Sequence, residues 1–397
     1  MITIAGGVYR ERCIDPHWDD VFGSAGRAAV ALADYGVELS LHTYRAKALL
    51  DGIRNLEAAF GIAINGPEVQ DGVEFEYIHS LCTPRINPRP DAIPQFPPFD
   101  VVGDVVLRCG MLVGTSKVAV GRVVYDPQSA FDPRPYRENG STARKLAVIL
   151  NRLEGRRLSG LSDPSEIAHS ILATWDVDVV VIKMGGHGAL VLVKGEAPVS
   201  VPAYRSENVW KIGSGDVFSA AFTYFWGEKE LPAAEAADLA SRATSYYCGT
   251  RALPLPDAES LRNLVTTAVA PRGGKVYLAA PFFNLGERWI VEEVRDQLLH
   301  MEVEVFSPLH DVGVGPGDVV AKADLAGLDE CSVVLAILNG GDAGTIFEIG
   351  YAVAKGIPVI ALAQNTRPED LKMPVGSGCR VYEDLVTAIY QTVWAEP

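Results

Sequence analysis

Along this chain, short uninterrupted apolar runs alternate with longer stretches whose apolar residues recur every three or four positions. The runs at 177–182, 188–192, 276–280, 332–338 and 358–362 read as strands buried on both faces. The stretches at 25–35, 166–174, 232–246, 287–300 and 345–354 read as helices with one apolar side. This alternation predicts parallel strands joined by crossover helices, an α/β fold. Residues 1–7, Met-Ile-Thr-Ile-Ala-Gly-Gly, read as a buried strand with no basic segment before it, so no signal peptide is expected. The stretch 83–98 holds six prolines in sixteen residues and is expected to be a loop or the edge of a lid.

The clearest break is Ala268-Val-Ala-Pro-Arg-Gly-Gly-Lys275, which follows an expected helix at 258–267 and precedes a new strand. It divides the chain into a large domain, 1–270, and a smaller one, 274–397. A length of 397 residues fits two or three domains at roughly 150 residues each. The net charge of −15 argues against general nucleic-acid binding, which needs a basic face, but not against a pocket for a single nucleotide. No apolar run reaches the roughly 18 residues that span a bilayer, so no membrane partner is expected. Six scattered Cys without a CxxC, and seven His without an HxxxH, point to reduced thiols, a cytoplasmic location and no zinc site.

The stretch richest in chemistry in the first domain is Lys211-Ile-Gly-Ser-Gly-Asp-Val-Phe218. Gly213, Ser214 and Gly215 can present backbone N–H groups at a helix start, where the helix dipole also favours an anion. Asp216, in the first turn, can take a proton from a hydroxyl that attacks a γ-phosphate. Taken alone, the same residues also read as a Gly-rich turn with an Asp cap. Upstream, an apolar strand ends in Asn151-Arg-Leu-Glu154, whose side chains can meet the waters of a Mg²⁺ ion beside a nucleotide.

These segments, with Val123-Val-Tyr-Asp-Pro-Gln128, Lys183-Met-Gly-Gly-His-Gly188 and Gly23-Ser-Ala-Gly-Arg-Ala-Ala-Val30, resemble the PfkB (ribokinase-like) family of carbohydrate and nucleoside kinases over about residues 1–265. The resemblance implies a ribokinase-like α/β domain that uses ATP with Mg²⁺, with Gly213–Gly215 as anion hole and Asp216 as catalytic base. It also marks departures. Trp210, Lys211 and Ile212 stand where the family has Asp-Thr-Thr, and Arg27 stands where it has an acceptor-binding Asn. For the family's acceptor-binding acid after the first strand, Asp15 is the candidate.

In the second domain two strands run into chemistry-bearing loops, the place where open parallel sheets bind ligands. The first strand runs into Pro281-Phe-Phe-Asn284. The other runs into Asn339-Gly-Gly-Asp-Ala-Gly-Thr-Ile-Phe-Glu348, and Asp324 lies on an intervening helix. Each acid alone reads as a cap or a solvated side chain. Three carboxylates converging on one crevice would repel, and such a cluster suits covalent or acid–base work on a sugar. With Tyr277-Leu-Ala-Ala-Pro-Phe-Phe283 and Asp342-Ala-Gly-Thr-Ile-Phe-Glu-Ile-Gly-Tyr-Ala352, these residues resemble the nucleoside 2-deoxyribosyltransferase family over about 275–365. The resemblance implies a smaller flavodoxin-like, doubly wound parallel-sheet domain that needs no cofactor. Within it Glu348 is the nucleophile at the anomeric carbon and Tyr277 positions it. Asp324 meets the leaving base, Asp342 holds a free 5′-hydroxyl beside Gly344, and Phe282 or Phe283 stacks near the base. It further implies a homo-oligomer whose neighbouring subunits reach into each other's sites, with Pro374 at the reaching position and Ser377 as its substitute. The helix at 385–394, with Leu385, Ile389, Tyr390 and Val393 on one side, is a candidate face for that assembly.

The combined reading is a bifunctional enzyme of nucleoside metabolism acting on a small nucleoside, nucleotide or sugar. The alternative is a kinase-like sensor that regulates the glycosidase or transferase domain.

Overall fold

The computed structural model describes residues 1–129, 132–269 and 274–395. The chain forms two compact units: the larger from 1–206 and 210–269, the smaller from 207–209 and the residues after 269. The heart of the expected linker, 270–273, lies outside the described residues. No helix among the described residues is long and apolar enough to cross a membrane.

The larger unit is built on a ten-stranded sheet. Its central strands, Ile2–Ala5, Val105–Cys109, Ser116–Asp126, Thr142–Asn151 and Val179–Lys183, pair in parallel. Leu39–His42 and Ala63–Asn65 extend this parallel set beyond Ile2–Ala5. At the other edge Ala189–Val193 and Val199–Val201 turn antiparallel. The core strands read as unbroken apolar runs because helices cover both faces.

Helix starts follow their caps. Asp163 caps Pro164–Trp175 through the Glu166 N–H, with proline at the first helical position, where its lack of an N–H costs nothing. Two expected helices end early. The helix at 25–35 is Gly23–Ala31, after which Ala33 and Tyr35 close three-residue turns onto Val30 and Leu32. The helix at 258–267 is only Ala258–Asn263. The branched run Val265-Thr-Thr267 is poor helix former, and Ala268–Val269 pairs instead with Ala203–Tyr204 as a strand.

A second sheet of four strands belongs to the same unit and was not expected. Its order is Trp18–Val21, Arg10–Asp15, Glu74–His79, Arg85–Asn87. The last of these lies inside the Pro-rich stretch read as loop. Register opposes Glu11 to Phe75, Cys13 to Tyr77 and Phe75 to Ile86, so these five side chains share one face.

The smaller unit carries five strands, all parallel, in the order Glu304–Phe306, Lys275–Ala279, Val333–Ile337, Val359–Leu362, Arg380–Tyr382. This is the flavodoxin-like 2-1-3-4-5 winding, whose switch point lies beside the first strand. The helices Leu285–His300 and Ala343–Lys355 lie where periodicity placed them. The C-terminal helix Leu385–Val393 is buried along nearly its whole length, so its apolar side serves this chain's own core and offers no face for a second subunit.

Candidate functional site

In the larger unit a cavity of about 510 Å³ opens beyond the carboxyl ends of the central strands. Gly213, Gly215, Asp216, Asn151 and Glu154, all singled out from sequence, line it together. Ser214 does not: it is buried, its N–H donates to the Lys211 carbonyl at 3.1 Å, and its hydroxyl accepts from Lys211 Nζ at 2.9 Å. Gly213 opens the helix Ser214–Phe222 at φ +80°. A Cβ there would stand 2.1 Å from Arg27 Cδ, so both the conformation and the crowding require glycine.

Asp216 is held on both oxygens. Arg27 Nη1 donates to Oδ2 at 2.9 Å, and Gln128 Nε2 donates to Oδ1 at 2.8 Å. Arg27 is fully buried and also binds Glu11 through both terminal nitrogens, giving a Glu11–Arg27–Asp216 cluster. Burial pushes the Asp216 carboxyl up to about 6 even though Arg27 pulls it down. Nearby, Lys183 Nζ donates to Asp126 Oδ2 at 2.7 Å, as does the Ser219 hydroxyl at 2.6 Å. Burial opposes the charge on Lys183, but Asp126 and Glu154 outweigh it and raise its pKa. The amine comes within 3.3 Å of where a Cβ on Gly215 would lie, which places a cation at the helix start.

Asn151 and Glu154 form a capping box: Asn151 Oδ1 accepts the Glu154 N–H, and Glu154 Oε2 accepts the Asn151 N–H, both at 2.8 Å. Burial, then the charge on Asp126, pushes the Glu154 carboxyl up to about 7. Among the described residues no three His, Cys, Asp or Glu side chains are grouped to hold a metal ion. Asp15, the acid proposed after the first strand, is exposed at the end of Arg10–Asp15. The buried acid of that strand is Glu11, whose signal was its position between Arg10 and Arg12 on a strand too charged to read as one. Gln128 and Lys183 lay inside quoted segments without being singled out.

Arg27 is therefore a buried charge shared by the buried Glu11 and the partly buried Asp216. Arg27→Met is expected to destabilise the larger unit by about 3–5 kcal/mol, since it leaves Glu11 and Asp216 uncompensated. Arg27→Lys recovers only part of this, because one ammonium cannot bridge two carboxylates as the planar fork does. Denaturant unfolding of both variants checks this; a loss under 1 kcal/mol in Arg27→Met would show that the cluster contributes no net stability.

In the smaller unit the fully buried Tyr277 donates its hydroxyl to Glu348 Oε1 at 2.6 Å. Burial is the main force that pushes the Glu348 carboxyl up to about 7; the Tyr277 hydrogen bond pulls it down, and Asp324 and Asp342 push it up. Those electrostatic couplings bring the three expected acids into one neighbourhood. Asp342 caps Ala343–Lys355, with Oδ2 accepting from the Thr345 N–H at 2.8 Å and its hydroxyl at 3.0 Å. Asp324 Oδ1 is buried without a hydrogen-bond partner among the described residues, and burial raises its pKa. Gly344 is exposed in the first turn of that helix. Phe283 is 72% exposed, with its ring centroid 5.3 Å from that of Phe282. Ser377 spends its hydroxyl on the carbonyl of the buried Pro374, at 3.1 Å.

Residues 125–253 match the family model described as pfkB family carbohydrate kinase, and residues 276–381 match that of nucleoside 2-deoxyribosyltransferase. No curated protein matches the chain. Among solved structures, a ribokinase from Thermotoga maritima is 16% identical with a TM-score of 0.48, covering 66% of this chain and 98% of its own. A ribokinase from Arabidopsis thaliana, solved with ribose and ATP, is 14% identical with a TM-score of 0.48, covering 66% of this chain and 97% of its own. A pyrophosphate-dependent kinase in the ribokinase family, solved with a pyrophosphate analogue and myo-inositol, is 16% identical with a TM-score of 0.47, covering 66% and 100%. The chain thus joins a region that matches the pfkB family carbohydrate kinase model to one that matches the nucleoside 2-deoxyribosyltransferase model.

Proposed function

We propose that the smaller unit cleaves or exchanges the N-glycosidic bond of a nucleoside or nucleotide, and that the larger unit transfers a phosphoryl group from ATP to a sugar or nucleoside hydroxyl. The observation that carries the first part is the Tyr277–Glu348 hydrogen bond of 2.6 Å, which holds a half-buried carboxylate in place. A Glu348 oxygen attacks the anomeric carbon while the carbon–nitrogen bond breaks, its electron pair leaving with the base. Asp324, its pKa raised by burial, is suited to hand that base a proton. A second base or water then releases the sugar from Glu348. Asp342 keeps one oxygen, Oδ1, beyond its cap bonds for the sugar's 5′ side.

In the larger unit the acceptor hydroxyl gives its proton to Asp216 as its oxygen bonds to the γ-phosphorus, and ADP leaves. The helix start at Gly213–Gly215 and the nearby Lys183 receive the phosphate charge. Asn151 and Glu154 would face the water shell of a Mg²⁺ ion accompanying ATP, which would supply charge neutralisation for the transferred group. The domain limits for these two activities are 1–270 and 274–397.

A second reading, a nucleotide or sugar sensor, is favoured by Arg27 and Gln128, which engage both oxygens of the base before any acceptor arrives. Incubation with a nucleoside, nucleotide and sugar panel, with and without Mg-ATP, followed by mass spectrometry, separates the two. Base release with phosphorylated product supports the bifunctional enzyme. Base release whose rate depends on ATP, with no ADP formed, supports the sensor.

A homo-oligomer is part of this proposal, carried now by the exposed apolar Phe283, Leu285, Ile346, Phe347 and Met373 of the smaller unit. Light scattering at micromolar concentration is expected to give a multiple of 42.7 kDa, and a monomer mass would overturn this.

A further inference from the structure

The cavity of the larger unit has two chemically different walls. One carries Lys183, Asn151, Glu154 and the helix start at Gly213–Gly215. The other includes the face of the four-stranded sheet, which supplies Glu11, Phe75, Tyr77 and Ile86, with Met111 and Leu112 also lining the cavity. On this second wall the carboxylates are already engaged, Glu11 and Asp216 by Arg27 and Asp216 again by Gln128. The Tyr9 hydroxyl is likewise occupied, accepting the Leu112 N–H at 2.9 Å.

A free monosaccharide offers hydroxyls all round its ring, and a site that leaves them unpaired loses affinity for each. The carboxylates of this wall are engaged by Arg27 and Gln128 rather than free to receive a ring of sugar hydroxyls. The wall offers aromatic surface instead. The rings of Phe75 and Tyr77 lie near-parallel, 17° apart with centroids 6.5 Å apart, and Phe75 also meets Tyr9 at 5.4 Å. Phe75 and Tyr77 are only partly buried, so their rings keep surface for a ligand. Tyr77 lies close enough to Glu11, Arg27 and Asp216 for their charges to act on its hydroxyl, which puts the aromatic wall beside the base that would take the acceptor's proton.

We infer that the acceptor side of this cavity takes a nucleoside rather than a free sugar, with its flat base against Phe75 and Tyr77 and a sugar hydroxyl toward Asp216. This rests on reading the larger unit as a phosphoryl-transfer site, and it narrows that site's substrate class. It also makes the base, not the sugar alone, the group that both units read.

The test is calorimetric binding of adenosine, uridine and D-ribose to the full chain carrying Glu348→Ala, so that no nucleoside is consumed. Two nucleoside sites per chain are expected. Phe75→Leu, which keeps apolar volume but removes the ring, should weaken one of them about 10- to 100-fold, and Phe75→Tyr should restore it. Ribose should bind weakly and be indifferent to position 75. Nucleoside binding unchanged in Phe75→Leu, or ribose bound as well as adenosine, would overturn the inference. Mg-ATP turnover, measured as ADP release by the wild-type chain, separates the two levels. Nucleoside binding that depends on Phe75 without ADP release would sink phosphoryl transfer and leave the base pocket standing. Ribose phosphorylation with no nucleoside binding in the larger unit would do the reverse.

Discussion

Glu348→Ala is expected to abolish base release from a nucleoside, by about 10⁴-fold or more, as removal of a covalent nucleophile does. The fold should survive, because alanine raises helix propensity in Ala343–Lys355 and Glu348 is only half buried. Glu348→Gln should be equally inactive, since an amide cannot attack. A 2-fluoro-2-deoxy nucleoside should slow breakdown of the glycosyl ester, so that intact-mass analysis finds one added sugar on the wild type and none on the Ala variant. Because burial pushes this carboxyl up to about 7 and only its ionised form attacks, base release should rise as pH rises through about 7. The Tyr277 hydrogen bond lowers that value, so Tyr277→Phe should move the acid limb to higher pH and reduce activity most below neutrality. Base release at near wild-type rate in Glu348→Ala would make Glu348 a structural acid and remove the transferase reading.

Phosphoryl transfer should fall about 10²–10⁴-fold in Asp216→Asn, the usual range for a lost general base, while ATP binding persists. The helix start proposed to hold the phosphates does not use the Asp216 side chain, and the new amide keeps both contacts once Gln128 turns its carbonyl toward the Asn NH2 while Arg27 still donates to the Asn oxygen. In the wild type, transfer should increase as pH rises through about 6, where burial places this carboxyl. Initial rates of ADP formation against pH check both points. Undiminished transfer in Asp216→Asn would remove Asp216 from the proton path.

The parts of the two sites that were legible in the sequence are those whose chemistry and backbone demands coincide in a few adjacent residues. Gly213, Gly215 and Asp216 read as a helix start because the turn needs glycine and the first turn tolerates an acid. The pairing of Tyr277 with Glu348 came only with the family resemblance, because Tyr277 lies inside a strand and Glu348 more than a turn into a helix. What could not be read was any contact set by pairing between distant strands. Glu11 meets Arg27 and Asp216 only because Arg10–Asp15 joins a sheet made of charged and Pro-flanked segments, which have no apolar period to announce them. Gln128 gave no signal either, since its amide acquires a role only once Asp216 is brought beside it. The C-terminal helix misled for the opposite reason. Its apolar stripe was real, but periodicity tells that a face is covered and not by what.

Residues 207–209 belong to the smaller unit although 60 residues of the larger unit, 210–269, separate them in sequence from the rest of it. They are fixed there by the Val209 N–H on Thr387 Oγ1 at 2.9 Å and by Gln391 Nε2 on the Glu207 carbonyl at 3.2 Å. Cutting the chain after Val269 therefore does not separate it into two finished pieces. The C-terminal fragment would lose a short stretch of its own wall and leave the buried Thr387 and Gln391 without those partners. During synthesis, likewise, the smaller unit cannot be completed from its own late-made residues alone. The helix Leu385–Val393 must find a segment made long before it, which ties completion of this unit to residues on both sides of the larger unit.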